Sequence, residues 1–585
     1  MILTALNDYY ERVAEERPDD IPSFGYSFEK IHFCILLDKQ GRLIEITDIQ
    51  NYEGKKARPK ILIVPESCKR SGANNYKPFF LWDNTSYVLG ADDKKKPQDT
   101  LNKFNSFKAL IDEQLADTET PALKAVHNFI MSWDPALAPE IANWENIAGK
   151  NCVFRLDGEL QYAHDDEEAK TLWRALRSPK ILGDGLCLVR GEKGPIVDIH
   201  PAIKGVAGGQ SSGVNIVSFN TGSFESYGKK SGANAPVSDL GAFQYTTALN
   251  YLLRPGSRQL VRIGDTSTLF WTEKASPAED ILGPLLCPPD PETKKEKGKT
   301  VPDLSEETKK IYDTLKRIRQ GKHLTEYDLD DSVFCYVLGL APNAARLGIR
   351  FWETGPLSLY LKRIGQHYRD IEIERQYASE APFPSPNPLL LETAALRKYD
   401  NIPHVLNGAL QNAIFLGTRY PRALLTAVLQ RLHADGKINY LRASLIKGYL
   451  VRYFQANPSS KDMEVTVSLN TESTNPAYLL GRLFAVLEKA QLDALGKINS
   501  TIKDRYFGAA SSHPRTVFPM LLNMAQHHIS KAQYGVTSDK KIAEILDKLE
   551  NYPSVLTLEQ QGLFTLGYYH QRIALYQKKM NTQEA

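Results

Sequence analysis

Six cysteines in 585 residues, none in a C-x-x-C pair and none at zinc spacing to a histidine, exclude a disulfide-stapled scaffold and argue against a structural zinc. They read as small buried hydrophobes in a reducing cytosol. No apolar run approaches the roughly 20 residues of a membrane span, and the opening Met1-Ile2-Leu3-Thr4-Ala5-Leu6-Asn7-Asp8 lacks the charged-then-apolar order of a signal peptide. The expected location is cytoplasmic. Excess charge is also missing: 72 Lys and Arg against 69 Asp and Glu leave +3, so a nucleic-acid surface would have to arise from local segregation of charge.

The chain is long enough for roughly two to five domains with sizeable cores. Its periodicity gives an α+β fold, a mixed region with short antiparallel strands followed by a helical bundle. In the first part, Ile2, Leu3, Leu6, Tyr9, Tyr10 and Val13 recur at helical spacing. Strands are expected over 31–37 and 43–49 around the turn Asp38-Lys39-Gln40-Gly41-Arg42, then over 60–64, 152–156, 185–189, 196–199 and 214–219. Ser238 is placed to cap a helix over 239–253. The stretch 288–303, rich in Pro, Lys and Glu, reads as a disordered linker or surface loop. A proline-rich break at 382–388 then introduces almost continuous helical periodicity, several segments starting with Pro in the first turn. The expected division is 1–380 as the α+β region and 389–585 as the bundle.

One pattern occurs twice. Lys69-Arg70-Ser71-Gly72-Ala73-Asn74-Asn75 returns as Lys229-Lys230-Ser231-Gly232-Ala233-Asn234-Ala235. Two readings stay open: polar turns with Gly and Asn in left-handed positions, or loops in which cations hold phosphate, Gly permits close approach and Asn meets a base edge. Beside the second copy lies the most glycine-dense stretch of the chain, Gly205 to Gly213, where Gln210, Ser211 and Ser212 could reach base edges while backbone N–H groups face phosphates. Over 415–455 the cations Arg419, Arg422, Arg431, Lys437, Arg442, Lys447 and Arg452 meet a single acid, Asp435, as a groove tracking a strand would require, although a solvated helix face gives the same pattern.

Catalytic motifs fail on context. Gly209-Gln210-Ser211-Ser212-Gly213 matches G-x-S-x-G but precedes an expected strand rather than following one, which leaves a serine hydrolase as a remote alternative. Ser226-Tyr227-Gly228-Lys229 matches S-x-x-K without the companion elements of that chemistry. Gly222 and Gly228 stand one residue too far apart for a phosphate-binding P-loop. His164-Asp165 continues into an acidic helix start, and His527-His528 lack an acidic third ligand. No enzyme, metal or cofactor is expected.

The residues resemble the large subunit of the type I-C CRISPR Cascade surveillance complex over essentially the whole chain. The carriers include Met1-Ile2-Leu3-Thr4-Ala5-Leu6, Phe80-Leu81-Trp82-Asp83-Asn84, Gln210-Ser211-Ser212-Gly213, Ser226-Tyr227-Gly228, Asn234-Ala235-Pro236-Val237-Ser238, Tyr245-Thr246-Thr247-Ala248-Leu249-Asn250, Arg350-Phe351-Trp352 and Asn475-Pro476-Ala477-Tyr478-Leu479-Leu480-Gly481-Arg482-Leu483. The resemblance implies a non-catalytic subunit at the 5′ end of the CRISPR RNA. It would read the protospacer-adjacent motif (PAM) on double-stranded DNA, help form the R-loop and support recruitment of a helicase-nuclease. Its implied partners are the backbone subunits, the crRNA-processing subunit and a small subunit. It also implies internal initiation, for which Met463 is the candidate, giving 463–585 as a separate product. On this reading Gly72, Asn74 and Asn75 approach the PAM, with Lys69 and Arg70 on flanking phosphate. Gln210, Ser211, Ser212, Lys229, Lys230 and Asn234 join them.

Overall fold

The computed structural model describes residues 1–54, 56–67, 70, 75–93, 97–177, 179–296, 299–303, 305–322, 330, 332–457, 464–496, 498–532 and 535–576, with the side chains of 53, 56, 292–296, 299–303 and 407 left aside. The fold is α+β, with strands concentrated before residue 356 and helices thereafter. Contacts divide it into two compact units, 1–255 with 343–347, and 256–342 with 348–585. The division at Pro255/Gly256 falls earlier than the proline-rich break that composition marks.

In the first unit a four-stranded sheet has the order Leu43–Asp48, Phe33–Leu37, Asn151–Leu156, Trp82–Asn84, its central pair parallel. Helices Pro97–Leu115 and Pro121–Ser132 bury Phe104, Phe107, Ile111, Val126 and Phe129 in the same core as Ile35, Leu37 and Phe154. The 43–49 hairpin partner lies where alternation puts it, with Asp38 Oδ1 accepting from the backbone N–H of Gln40 (2.9 Å) and Arg42 (2.8 Å). Tyr26–Ile31, which alternation does not reveal, pairs with Lys60–Pro65 in a separate ribbon. Ser238 caps Asp239–Leu252, accepting from Gly241 N at 3.2 Å. The expected strand over 214–219 is absent: Val214 bridges Ile203 and Asn215 bridges Arg346, each as a single pair.

The second unit combines a sheet ordered Leu260–Ile263, Thr266–Thr272, Phe334–Asn343, Arg346–Pro356 with the helices that follow. Val261, Phe270, Val337 and Phe351 share one apolar core with helix residues from Leu357 to Ile573. That shared core is why the compact unit begins well before the bundle. Within 288–303, Glu292–Glu296 pairs antiparallel with Lys299–Asp303, where composition alone suggests disorder or a loop. A close crossing in the bundle pairs Pro476–Leu495 with Leu558–Tyr576. A Cβ on Gly481 would fall 1.9 Å from the carbonyl oxygen of Phe564, and one on Gly567 would fall 2.1 Å from that of Tyr478. Only glycine lets the two backbones touch there.

Candidate nucleic-acid interface

The short stretch 198–204, leaving the Lys193–Val197 strand, carries the base of the loops singled out in the sequence. At its start, Asp198 accepts from Lys180 Nζ at 2.5 Å and from the backbone N–H of Gly232 at 3.4 Å. Hydrogen bonds from Lys180 and Ser231 hold its carboxyl below the usual range. Gly232 sits so tightly on this seat that a Cβ would lie 2.6 Å from the carbonyl oxygens of both Val197 and Asp198. At the other end, Ile203 pairs with Val214 to close the glycine-dense loop, and Lys204 reaches outward. Lys204 is six residue steps from Asp198, so the two seats are at most about 22 Å apart.

Lys204 ties the glycine-dense loop to the first basic copy. Its Nζ is 2.7 Å from Glu29 Oε1, which also accepts from Ser67 Oγ at 2.6 Å, and Ser67 stands two residues before that copy. A second bridge runs through Arg177, which holds Glu66 at 2.7 Å and makes a two-pronged contact with Asp239, the first residue of the helix after the second copy. Three stretches from residues 66 to 239 are thereby drawn together by two half-buried cations. Charge-assisted contacts of this kind are among the stronger hydrogen bonds a protein makes.

The side chains divide by role. Gln210, Ser211 and Ser212 are exposed on a turn closed by Gly213 N donating to Gln210 O at 2.9 Å. Lys229 and Lys230 are exposed as well, as is Asn75. Asn234 is turned inward instead. Its Oδ1 accepts from Ser226 N (2.9 Å), and its Nδ2 donates to the carbonyls of Lys229 (3.0 Å) and Ser231 (3.0 Å). Its amide braces the loop from inside. Arg70 is similarly engaged, bidentate on buried Asp83, donating to Lys77 O at 2.7 Å and lying over the rings of Phe79 (3.6 Å) and Tyr87 (4.0 Å). The guanidinium anchors its segment to the core, engaged by Asp83 and two aromatic rings rather than turned out toward the phosphate expected of it. Lys69, Gly72 and Asn74 lie outside the described residues, as does Met463.

Two residues not assigned from sequence complete the surface. Tyr227 is 98% exposed and adopts φ 53°, a left-handed conformation rare for a bulky residue, between Ser226 and Gly228. Arg346 lies 4.3 Å over the Phe224 ring and donates to Asn220 Oδ1. The sequence signal for Tyr227 is an aromatic residue directly before Gly-Lys-Lys, readable only once the loop is known to be braced at its base.

The cations over 415–455 do not form one surface. Arg442 is buried against Glu392 (2.9 Å) and Asp435 (2.5 Å), and Arg452 against Asp370 (2.7 Å) and the carbonyls of Ala413 and Thr418. Lys447 is buried on the carbonyls of Arg369 and Asp370. Burial pulls its ammonium down to about 8, against the opposing effect of the Asp370 charge. These three hold the bundle together, because partners distant in sequence fold over them. Arg431 pairs with Asp435 at 3.2 Å, while Arg419, Arg422 and Lys437 stay exposed.

The motifs with catalytic spelling have ordinary surroundings. Gly209 to Gly213 is a turn inside the loop closed by the single Ile203–Val214 bridge rather than a strand-to-helix elbow, and Ser226 and Lys229 close a turn through Lys229 N and Ser226 O at 3.0 Å. Asp166 caps the helix Glu167–Leu176 by accepting from Glu168 N at 2.8 Å. Among the described residues no helix is long and apolar enough to cross a membrane.

Comparison with curated proteins gives no match. The family model for a CRISPR-associated protein (Cas_Csd1) matches residues 6–576, all but the ends of the chain and every loop and helix described above, and the protein belongs to that CRISPR-associated family.

Proposed function

We propose that the chain is the non-catalytic large subunit of a type I-C Cascade complex, which reads the PAM on double-stranded DNA and begins R-loop formation. The observation that carries this reading is the gathering of the exposed Gln210, Ser211, Ser212, Lys229 and Lys230 on loops rooted in one stretch, 198–204. The major groove of B-DNA is about 12 Å wide, so loops seated within about 22 Å reach a groove and its flanking phosphates together. Gln210 and the two serines suit base edges, Lys229 and Lys230 suit phosphate, and Tyr227 suits stacking against a base at an opened step. Guide pairing carries the remaining sequence information, and cleavage falls to a recruited helicase-nuclease.

The test is binding of the assembled complex to duplexes with and without the correct PAM. Gln210→Ala, Ser211→Ala with Ser212→Ala, and Asn74→Ala with Asn75→Ala each remove candidate base contacts. Discrimination is expected to fall by about 1–3 kcal/mol for the contact that reads the PAM. An unchanged ratio in all three variants sinks the base-reading assignment. The proposed internal start is tested by intact-mass analysis of complex expressed from this frame, which should reveal a product beginning at Met463.

A further inference from the structure

A surface cavity of about 370 Å³ in the second unit is lined by Arg419, Tyr420, Arg422, Tyr449, Tyr453 and Glu559. Tyr449 and Tyr453, one turn apart on Tyr440–Gln455, lie nearly parallel, with ring centroids 5.9 Å apart and 14° between their planes. Tyr453 is half-buried and turns an aromatic wall to the cavity, while Arg419 and Arg422 stand exposed at its mouth. Tyr420 is held rigidly from behind, with its hydroxyl 2.6 Å from His367 Nδ1 and Arg452 4.1 Å from its ring. Glu559, in the first turn of Leu558–Tyr576, accepts from Tyr449 Oη at 3.4 Å and lies 3.8 Å from Arg422 Nε.

The combination is specific in its chemistry. A flat aromatic wall takes a planar ring, two arginines beside it take a phosphate, and a carboxylate lining the same cavity accepts from an N–H but repels a bare carbonyl. We propose that this cavity holds one nucleotide of a single-stranded nucleic acid, its base stacked on Tyr453, its phosphate on Arg419 and Arg422, and its exocyclic amine donating to Glu559. Cytosine and adenine carry such an amine, whereas thymine presents a carbonyl at the corresponding edge. The cavity therefore prefers amine-bearing bases. The inference rests on the reading of the chain as a nucleic-acid-handling subunit but needs no PAM contact.

The experiment is fluorescence anisotropy of the full chain with labelled oligodeoxycytidine, oligodeoxythymidine and oligoribocytidine, with free cytidine monophosphate as competitor. Oligodeoxycytidine should bind at least about fivefold more tightly than oligodeoxythymidine. Tyr453→Ala should weaken binding by about five- to hundredfold. Arg419→Glu with Arg422→Glu should act in the same direction and raise no folding question, since both side chains are exposed; it decides the matter if Tyr453→Ala fails to fold. Glu559→Gln should bring cytidine and thymidine strands toward equal affinity, because an amide can serve either edge. Equal affinity for the two strands in the unaltered protein overturns the base preference. Binding indifferent to the arginine pair overturns the site, and free monophosphate competing as well as a strand overturns the single-strand assignment. PAM discrimination on duplex, measured in the same variants, should stay intact. Discrimination left unchanged in the loop variants, with oligonucleotide binding still weakened by the cavity variants, would strike only the reading of the first unit.

Discussion

Lys229 and Lys230 in the first unit, and Arg442, Lys447 and Arg452 in the second, come from the two stretches where positive charge is most conspicuous in the sequence, yet they face opposite surroundings. The loop lysines project from a turn whose interior is filled by the amide of Asn234 and by Gly232 pressed on Asp198. The helical cations lie inside, each closed over by a carboxylate or by backbone carbonyls. Local charge in a sequence therefore measures neither surface potential nor binding. What decides is whether an acid from elsewhere arrives, and Glu392 and Asp370 reach Arg442 and Arg452 from 50 and 82 residues away.

The sharpest way to break this comparison is to remove an interior cation. Arg442→Ala leaves Glu392 and Asp435 facing an empty site, and Arg452→Ala strands Asp370; each should cost about 3–5 kcal/mol in denaturant unfolding. Retained stability would mean that these arginines face solvent after all.

Acid should act on both units alike. His200, bonded to Tyr245 at 2.6 Å, and His570, bonded to Tyr478 at 3.0 Å, are buried, and burial lowers each from 6.5 to about 4. The unfolded chain then binds protons that the folded chain refuses, so their contribution is fully present above pH 6.5 and fades as pH falls toward 4. The slope is about 1.4 kcal/mol per pH unit for each histidine, seen as a falling denaturation midpoint. His200→Gln should flatten that slope by one histidine's share.

Smaller effects are expected at the loop. Gly232→Ala drives a methyl into two backbone oxygens and should cost about 1–3 kcal/mol, with weakened duplex binding because the seat of the lysines shifts. Lys229→Ala and Lys230→Ala should leave stability within about 0.5 kcal/mol while lowering the salt dependence of DNA binding by about one charge each. If those two lysines affected unfolding as strongly as Arg442, the contrast between the regions would vanish.

Much of the architecture is legible in the chain because its signals are local. The Asp38 turn, the Ser238 cap and the proline-led helices such as Pro476–Leu495 each announce themselves within a few residues. What stays hidden depends on distant partners. Tyr26–Ile31 is a strand because Lys60–Pro65 pairs with it, and 214–219 is not a strand because its neighbours meet it only at single residues. In the candidate interface, Gln210, Ser211, Ser212, Lys229 and Lys230 are readable as exposed loop residues. Asn234 and Arg70 have the same surface composition but are consumed by the structure, Asn234 within its own loop and Arg70 by Asp83. Tyr227 escapes notice because exposure at φ 53° is a property of the folded loop.

The stretch 198–204 also behaves as a ruler. One residue inserted between Asp198 and Lys204 would lengthen the path between the two loop seats by up to about 3.5 Å. Successive nucleotides along one strand of B-DNA rise by about 3.4 Å along the helix axis. On the proposed reading, such an insertion would leave every candidate contact residue in place and still shift one loop by about one base-pair step relative to the other.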